Sequence, residues 1–532
     1  NNDIDNVETS SKSLPSSVRY ILGSEVCERY SYYGIRSVMV LYLTSFMGYS
    51  DDSATSILHG FNFVAYFLPM FGAYVADSIL GKYNTILYFS LVYSVGGVFL
   101  AISAVPAIMG DMPSERSPWA WIIGLILIGV GTGGIKPVVS TFCGDQLDNS
   151  QKDLVQRLYQ LFYFAINIGA SLSTFLTPLF RTYIGYWFAF GLPSVLIIAA
   201  TVVFVLGSRS YKRRPITGSI LLTSAKVIGC AISEKVRLMR SGSSSYCVHW
   251  LDRARVKYDS HLVDSVKAAL NVLLVFVPLP FFWAISDQSG SRWTLQAKQM
   301  DLRIGSYNMP ADQVQSAEPI LVMLFIPFIE YLIYRPLRTR NIEFHPLRRL
   351  WIGMWISVLS FVFTIMLQLK IDNSPPNTVS VLLQLPQYLA ITFAEVLISV
   401  TGLEFAYSQA PANMKSTIMS MWLFSIALGN MFVVIVVDGI SMDKRWQEFL
   451  LYACVMSLAT IVFMVIAFRF KEADVSIINY RDDVDDIDGA DDRSSKPGSE
   501  HGSGGIGVVV DDDEVDDHTS LVQSSNTYQL IT

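Results

Sequence analysis

The first apolar segment of the chain carries a stripe of charged side chains. Within GSEVCERYSYYGIRSVMVLYL, the residues Glu25, Glu28, Arg29 and Arg36 interrupt an otherwise apolar run. At about 100° per helical residue, these four and Tyr32 lie within roughly 100° of one another on a helical wheel. Charges inside a membrane span are costly and usually functional. Mixed charges on one face therefore favour the wall of a pathway that moves protons or a charged solute.

Polar side chains also interrupt several later apolar segments. These residues are His59, Asn62 and Tyr66; Lys136; Tyr163, Asn167, Ser171, Thr174 and Arg181; Glu318 and Glu330; and Glu395, Ser399 and Gly402. A single Asn or His of this kind is more often a packing residue. Glu404 falls about 180° from Glu395 on the wheel, which favours a structural role for it. Since both signs of charge recur on several segments, paired charges around one central cavity are the least costly arrangement.

The elements that must position these residues are long apolar helices. Hydrophobic residues make up 52% of the 532-residue chain and charged residues 16%, whereas about 25% of a soluble domain is charged. About 20 apolar residues suffice to cross a bilayer as a helix. The sequence predicts an all-α membrane protein with twelve spans, at 20–46, 53–76, 83–105, 119–142, 155–180, 184–206, 264–286, 313–334, 350–369, 380–407, 412–436 and 446–468.

The charges between the spans predict how the protein is oriented. The segment 208–258 carries eleven Lys/Arg and two acidic residues. Basic loops stay in the cytosol, so both termini are expected there too. Contact with anionic lipids is the simplest account of this basic cluster. The predicted parts are a cytosolic N-terminal segment 1–19, a six-helix bundle 20–207, a basic cytosolic linker 208–263, a second six-helix bundle 264–470 and a disordered acidic cytosolic tail 471–532.

The acidic net charge of −6 belongs to the C-terminal tail. After Lys471 the chain holds 16 acidic and three basic residues, a composition typical of disordered segments. The tail sequence from Tyr528 to Ile531 has the form of a tyrosine-based sorting signal, although four residues match such a pattern easily by chance. The first span is expected to serve as the insertion signal.

Catalytic and metal-binding patterns are missing from the sequence. The five cysteines show neither a metal-ligand spacing nor a disulfide framework. No nucleophile, base and acid set stands outside the spans. We therefore expect no enzymatic activity, no cofactor and no metal site.

Six sequence strings resemble one transporter family. They are EVCERYSYYG, VADSILGKYNTI, GTGGIKPVVSTFCGDQ, FYFAINIGASLS, FWAISDQSGSRWTLQA and EVLISVTGLEFAYSQAPANMKS. In this order they are similar to the motifs of the proton-dependent oligopeptide transporter family, within the major facilitator superfamily. The resemblance runs from about Ser24 to Phe470. It implies twelve transmembrane helices in two six-helix halves and symport of protons with di- and tripeptides by alternating access.

The resemblance also implies roles for individual residues. Those implied in proton coupling are Glu25, Glu28, Arg29, Lys136 and His59. Those implied in substrate binding are Tyr32, Tyr33, Arg36, Tyr66, Lys136, Asn167, Trp283, Glu318, Glu395, Ser399 and Trp422. Those implied in gating are Arg181, Asp287, Ser291 and Glu330.

Within this set, the resemblance implies specific contacts. Lys136 pairs with a glutamate of the first span, and His59 is held near Ser291 as an outer proton site. Arg181 and Asp287 pair as an outer gate. Arg36 and Lys136 attract the carboxylate of the peptide, while Glu395, with Asn167, holds its amino group.

Three departures from the family pattern leave the substrate open. Many members have Asn where this chain has Glu318. Some animal members have Arg where it has Asn271, so the inner-gate pair of this position with Glu330 stays open. The animal relatives have a large domain between spans 9 and 10, where this chain has about ten residues. A peptide and histidine transporter of an endolysosomal membrane, or a nutrient sensor signalling through the tail, are the alternatives. We expect a monomer in the plasma membrane with peptides, protons and lipid, but no nucleic acid, as partners.

Overall fold

The computed structural model describes residues 14–109, 118–147, 152–216, 218, 220–241, 249–340, 342, 344–411, 414–440, 442 and 444–470. The acidic tail, with its tyrosine motif, lies outside these residues. Helices dominate the described part of the chain. They are α1 (Ser16–Leu41), α2 (Asp51–Phe67), α3 (Pro69–Val75), α4 (Lys82–Ile102), α5 (Pro106–Met109), α6 (Trp119–Gly144), α7 (Lys152–Tyr183), α8 (Tyr186–Leu206), α9 (Ile220–Ser241), α10 (Ser260–Phe276), α11 (Leu279–Ser286), α12 (Arg292–Ala297), α13 (Ala317–Ile329), α14 (Arg335–Thr339), α15 (Pro346–Asp372), α16 (Leu385–Gln409), α17 (Lys415–Gly439) and α18 (Arg445–Arg469). A short hairpin pairs β1 (Arg303–Ile304) with β2 (Tyr307–Asn308).

Most of these helices have the length and composition of membrane spans. Among the described residues, ten helical segments are long and apolar enough to cross a bilayer, and the bent pair of α10 with α11–α12 makes an eleventh. The bend is 44° and contains Pro278, which directly precedes α11. The remaining predicted span corresponds to α1, which is 26 residues long. Its charged residues make it less apolar than the other spans.

Two apolar cores hold the helices together. One gathers buried side chains of α1–α8, such as Val38, Leu58 and Phe142. The other gathers those of α10–α18, such as Phe282, Phe361 and Phe449. We call these two sets the N-terminal and the C-terminal helices. They meet where α2 packs along α17 and where α7 packs on the turn Ala311–Ser316.

The first helix packs between α7 and α8. A glycine makes its close approach to α7 possible: a Cβ at Gly169 would stand 2.7 Å from the carbonyl oxygen of Val26 and 2.8 Å from the Cβ of Arg29. Only glycine fits such a distance without a shift of backbone. The charged stripe of α1 is thereby held against the neighbouring helix.

The basic segment between the two sets of helices contains a helix that the sequence analysis did not predict. Helix α9 packs on the 3₁₀ turn Trp250–Val256 and on α10, with Val227 and Ala231 fully buried. Asp252 of that turn accepts hydrogen bonds from Lys267 and Arg255. The Lys267 ammonium lowers the pKa of the Asp252 carboxyl to about 2, so this ion pair persists across the physiological pH range. The predicted boundaries of the two bundles stay a prediction.

Candidate functional site

The charged stripe of α1 forms a compact ion-pair cluster. Arg29 Nε lies 2.8 Å from Glu25 Oε1 and 2.7 Å from Glu28 Oε2. Thr132 of α6 donates a hydrogen bond of 3.0 Å to Glu28 Oε1. All three charged side chains are buried. One arginine thus neutralises two carboxylates, and the cluster keeps one excess negative charge when both are ionised.

The ammonium group of Lys136 lies near this cluster, but it contacts the faces of two aromatic rings. Its Nζ stands 3.7 Å from the ring centroid of Tyr32 and 3.9 Å from that of Tyr66, and it has no hydrogen-bond partner in the described part of the chain. The pairing of Lys136 with a glutamate of α1 is therefore wrong for this structure. Aromatic rings hold an ammonium through their negative faces, so Lys136 remains available to another anion.

A small polar cavity lies between the N-terminal and the C-terminal helices. Its volume is about 70 Å³, room for a few water molecules. Five of the predicted binding residues line it: Tyr33 and Arg36 of α1, Asn167 of α7, Glu318 of α13 and Glu395 of α16. Since small-molecule sites usually measure about 300–1,000 Å³, the helices must move apart before this cavity admits a larger solute.

The charges that face this cavity are unevenly paired. Arg36 Nη2 lies 2.6 Å from Asp287 Oδ1, and Asn430 Nδ2 donates to Asp287 Oδ2 at 2.6 Å. Glu395 Oε2, by contrast, is buried without a hydrogen-bond partner among the described residues. With Arg36 already neutralised by Asp287, the carboxyl groups of Glu318 and Glu395 are the groups of this cavity to which a cation can bind.

The structure does not bring every predicted binding residue to the cavity. Tyr32, Tyr66 and Lys136 form the cation–π group described above. Trp283 and Trp422 pack edge to face with centroids 5.9 Å apart, and Trp422 fills the space beside Gly402. Ser399 is buried and does not line the cavity. In this structure the two tryptophans are packing residues.

His59 starts a chain of hydrogen bonds that ends at Arg36. Its Nδ1 lies 2.7 Å from Asn430 Oδ1, and its Nε2 lies 2.9 Å from Ser291 Oγ. Because Asn430 turns its NH₂ to Asp287, its oxygen faces His59 and must accept from Nδ1–H. In neutral His59 the hydroxyl of Ser291 then donates to Nε2.

Asn430, which links His59 to Asp287, was absent from the predicted site. A single buried Asn in a span is the signal that could have identified it, but that signal alone does not separate a site from helix packing.

The predicted Arg181–Asp287 pair is wrong. Arg181 instead makes a bidentate pair with Asp312, at 2.7 and 2.8 Å, while Asp287 pairs with Arg36. The reason is position: Asp312 lies in the turn Ala311–Ser316 that packs on α7. Asp287 follows α11 and faces α1. The sequence offered two acids near span ends, and only the packing decides between them.

Ion pairs close one end of the molecule. Arg292 Nη1 lies 2.8 Å from Asp52 Oδ1, and its Nε lies 2.9 Å from Glu448 Oε1. Arg445 also pairs with Asp51. Together with the pairs of Arg36 and Arg181, four ion pairs in the described residues join the N-terminal to the C-terminal helices at this end.

At the opposite end, the ion pairs of the described spans stay within one set of helices. Lys82 pairs with Asp145 at 2.5 Å, and Arg349 with Glu404 at 3.5 Å. The predicted gate residue Glu330 lies 3.4 Å from Arg338, which belongs to the same set of helices. Within the described residues, the ion pairs between the two sets of helices therefore close the end where α2 begins.

Comparison with known proteins places this arrangement among transporters. The sequence model of the POT family matches residues 83–448. Solute carrier family 15 member 2 of Rattus norvegicus is 30% identical, with 86% of this chain and 90% of the relative covered. That alignment spans 661 residues, so a long stretch of the relative has no counterpart here.

Solved structures agree with this similarity. The POT family transporter PepTSo is 32% identical, with a TM-score of 0.75 over 87% of this chain and 99% of that chain. A proton dependent oligopeptide (POT) family transporter is 34% identical, with a TM-score of 0.67 over 84% of this chain and 100% of that one.

Proposed function

This chain belongs to the POT family of membrane transporters, and we propose that it is a proton-coupled symporter of di- and tripeptides. It is a multi-pass membrane transporter with the fold of the major facilitator superfamily, and not an enzyme. One observation carries the peptide proposal: Arg36 and Glu395 face the same cavity from the N-terminal and the C-terminal helices. A short peptide presents a carboxylate at one end and an ammonium at the other. A cation and an anion on opposite walls can bind the two charged ends of a peptide. Such a site recognises few features of the peptide side chains.

Peptide binding competes with closure of the charged end. Arg36 is bound to Asp287 in this structure, so a peptide carboxylate must take the place of Asp287. The ammonium group of the peptide gives Glu395 the counter-charge that it lacks here. Removing one partner of a buried ion pair is strongly unfavourable. The exchange of partners at Arg36 therefore couples occupancy of the cavity to which end of the molecule is open.

Protons enter this scheme through two groups of residues. A proton on Glu28 would remove its ion pair with Arg29, so that Arg29 pairs with Glu25 alone. The electrostatic potential at Lys136 would then become more positive. A proton on His59 Nε2 would turn the Ser291 hydroxyl towards Gln288 Oε1, 3.2 Å away. That step puts a positive charge beside the Asn430–Asp287–Arg36 chain and weakens the hold of Asp287 on Arg36. Each pH unit across the membrane supplies about 1.4 kcal/mol per proton, and each 100 mV about 2.3 kcal/mol.

Both termini and the basic linker lie in the cytosol, in line with the positive-inside rule. The charge-closed end then faces outward, and the structure corresponds to a state closed to the outside. We propose that the protein acts as a monomer in the plasma membrane, with an endolysosomal membrane as the alternative location.

Uptake by proteoliposomes tests this function. Purified full-length protein is reconstituted, an inward proton gradient is imposed, and uptake of a labelled neutral dipeptide is compared with that of labelled histidine. Accumulation of the dipeptide that disappears with a protonophore supports the proposal. Accumulation of histidine alone would assign the protein to amino-acid transport instead. Uptake that is indifferent to the gradient would contradict proton coupling.

A further inference from the structure

An apolar cavity lies away from the polar site. It has a volume of about 520 Å³ and is a groove between the N-terminal and the C-terminal helices. Phe67 and Phe71, from α2 and α3, form one wall. Helices α10 and α17 form the other wall, and α9 covers one side with Leu221, Ala225 and Ile228.

The groove lies on the surface of the protein that faces the hydrocarbon chains of a membrane. Apart from those of α9, its walls belong to helices that have the length and composition of membrane spans. Phe67 and Phe71 remain 43% and 54% exposed, so the groove opens sideways and not into the polar cavity. An exposed apolar surface of this kind in a bilayer is covered by lipid chains. Its volume falls within the range of small-ligand sites, about 300–1,000 Å³.

Helix α9 has three distinct faces. One face, with Val227 and Ala231, is buried against the protein. A second face is apolar but exposed, and it continues from the groove along Leu222, Ile232, Val236 and Met239, which lie within roughly 100° on the helical wheel.

A third, basic face of α9 borders the apolar one. Lys226 and Arg237 are exposed there and lie about 20° apart on the wheel. Lys226 follows Ala225 directly, at the edge of the groove. Arg237 has the exposed pair with Glu234, at 3.5 Å, which contributes little. An apolar face beside a basic one is the pattern of helices that lie at the surface of anionic membranes.

We propose that the groove holds one acyl chain of an anionic phospholipid, with its phosphate at Lys226 on the basic face of α9. The apolar walls exclude a charged ligand from the groove, and the lysine at its edge favours a negatively charged headgroup. Both sets of helices contribute a wall, so the width of the groove changes when they move. A bound chain therefore favours the conformation seen here, in which the charge-closed end is shut.

Retention of lipid by the purified protein tests this site. The full chain is extracted from vesicles of equal parts phosphatidylglycerol and phosphatidylcholine, and bound lipid is measured by native mass spectrometry. We expect about one retained lipid per protein and an enrichment of phosphatidylglycerol of about fivefold for each basic residue that contacts the phosphate. This measurement needs no variant, and equal retention of the two lipids would overturn the assignment of an anionic ligand.

Two tryptophan variants of α9 locate the lipid. Ala225→Trp fills the groove, whereas Ile232→Trp adds the same bulk to the exposed apolar face outside it. We expect Ala225→Trp to lose the retained lipid and Ile232→Trp to keep it. Lys226→Ala with Arg237→Ala should keep a lipid but lose the preference for phosphatidylglycerol. Lipid retention by Ala225→Trp at the level of the unchanged protein would overturn the proposed site.

Discussion

At the scale of single residues, Glu395 gives the most direct test of substrate binding. Its buried Oε2 lacks a partner among the described residues, and a peptide ammonium would supply one. We expect Glu395→Gln to reduce dipeptide uptake at least about tenfold, since loss of a buried counter-charge costs several kcal/mol. Surface expression should not change. Glu404→Gln is the matched control, because Glu404 pairs with Arg349 away from the cavity; equal uptake by both variants would remove Glu395 from the site.

Glu28 separates proton coupling from the movement of the helices. Glu28→Gln keeps the hydrogen bond that Thr132 donates but abolishes the charge that Arg29 balances. We expect accumulation against a gradient to be lost, while exchange between labelled and unlabelled peptide pools continues, because exchange needs no net proton movement. Gradient-driven accumulation by this variant, measured in proteoliposomes, would make the α1 cluster a structural element.

Glu318 bears on which peptides the cavity prefers. It lines the cavity together with Glu395, so the walls carry two carboxylates against one arginine that Asp287 already neutralises. We expect Glu318→Asn to lower the preference for dipeptides with Lys or His side chains over neutral ones, by about tenfold for one lost ion pair of about 1.4 kcal/mol. Competition profiles measured from pH 5 to 8 would show the shift; superimposable profiles would make Glu318 a local partner of the first turn of α13, which contains Pro319.

At the scale of elements, the pair of Arg181 with Asp312 fastens α7 to the turn Ala311–Ser316. Asp312 is fully buried, so Asp312→Asn leaves a cation with no full counter-charge at a packed contact. We expect this variant to open the charge-closed end more often, seen as faster labelling of a cysteine introduced into α7 beside Arg181. The double exchange Arg181→Asp with Asp312→Arg should restore slow labelling, and labelling of Asp312→Asn as slow as in the unchanged protein would exclude a gating role.

Sequence periodicity predicted the elements better than their contacts. The spacing of the charges from Glu25 to Arg36 matches the period of an α-helix, which predicted that they share one face. Hydropathy alone located the spans. The partners of Arg181 and Lys136 could not be predicted in this way, because each depends on the relative height of helices that are distant in sequence. Aromatic residues such as Trp283 and Trp422 suit both a binding pocket and a packed core, so only the packing assigns them.

Helix α9 shows a second limit of sequence reasoning. Its basic residues dominate the composition of the segment, so charge predicted a cytosolic linker. Its apolar residues do fall on one side of the helix, a periodic signal that the composition of the segment does not show.

At the scale of the whole molecule, the function is expected to reside in the described helices. Deletion of 472–532 removes the acidic tail but none of the residues of the cavity or its ion pairs. We expect proton-driven dipeptide uptake by the shortened protein to remain within about twofold of that of the full chain, since charges beyond a Debye length of about 8 Å are screened. Loss of uptake by correctly inserted, shortened protein would favour a regulatory or signalling role for the tail.

The two ion pairs of Arg292 make the opening of the charge-closed end asymmetric. Arg292 and Glu448 both belong to the C-terminal helices, whereas Asp52 belongs to the N-terminal ones and is 69% exposed. When the two sets separate, Asp52 leaves and takes up water, while Glu448 stays with the arginine. An exposed contact of this kind contributes about 0–1 kcal/mol, so Arg292 travels with a permanent counter-ion and loses only a temporary one. The contact between Arg292 and Asp52 can therefore break and form repeatedly, because Arg292 is never left without a counter-ion and stays in position to bind Asp52 again.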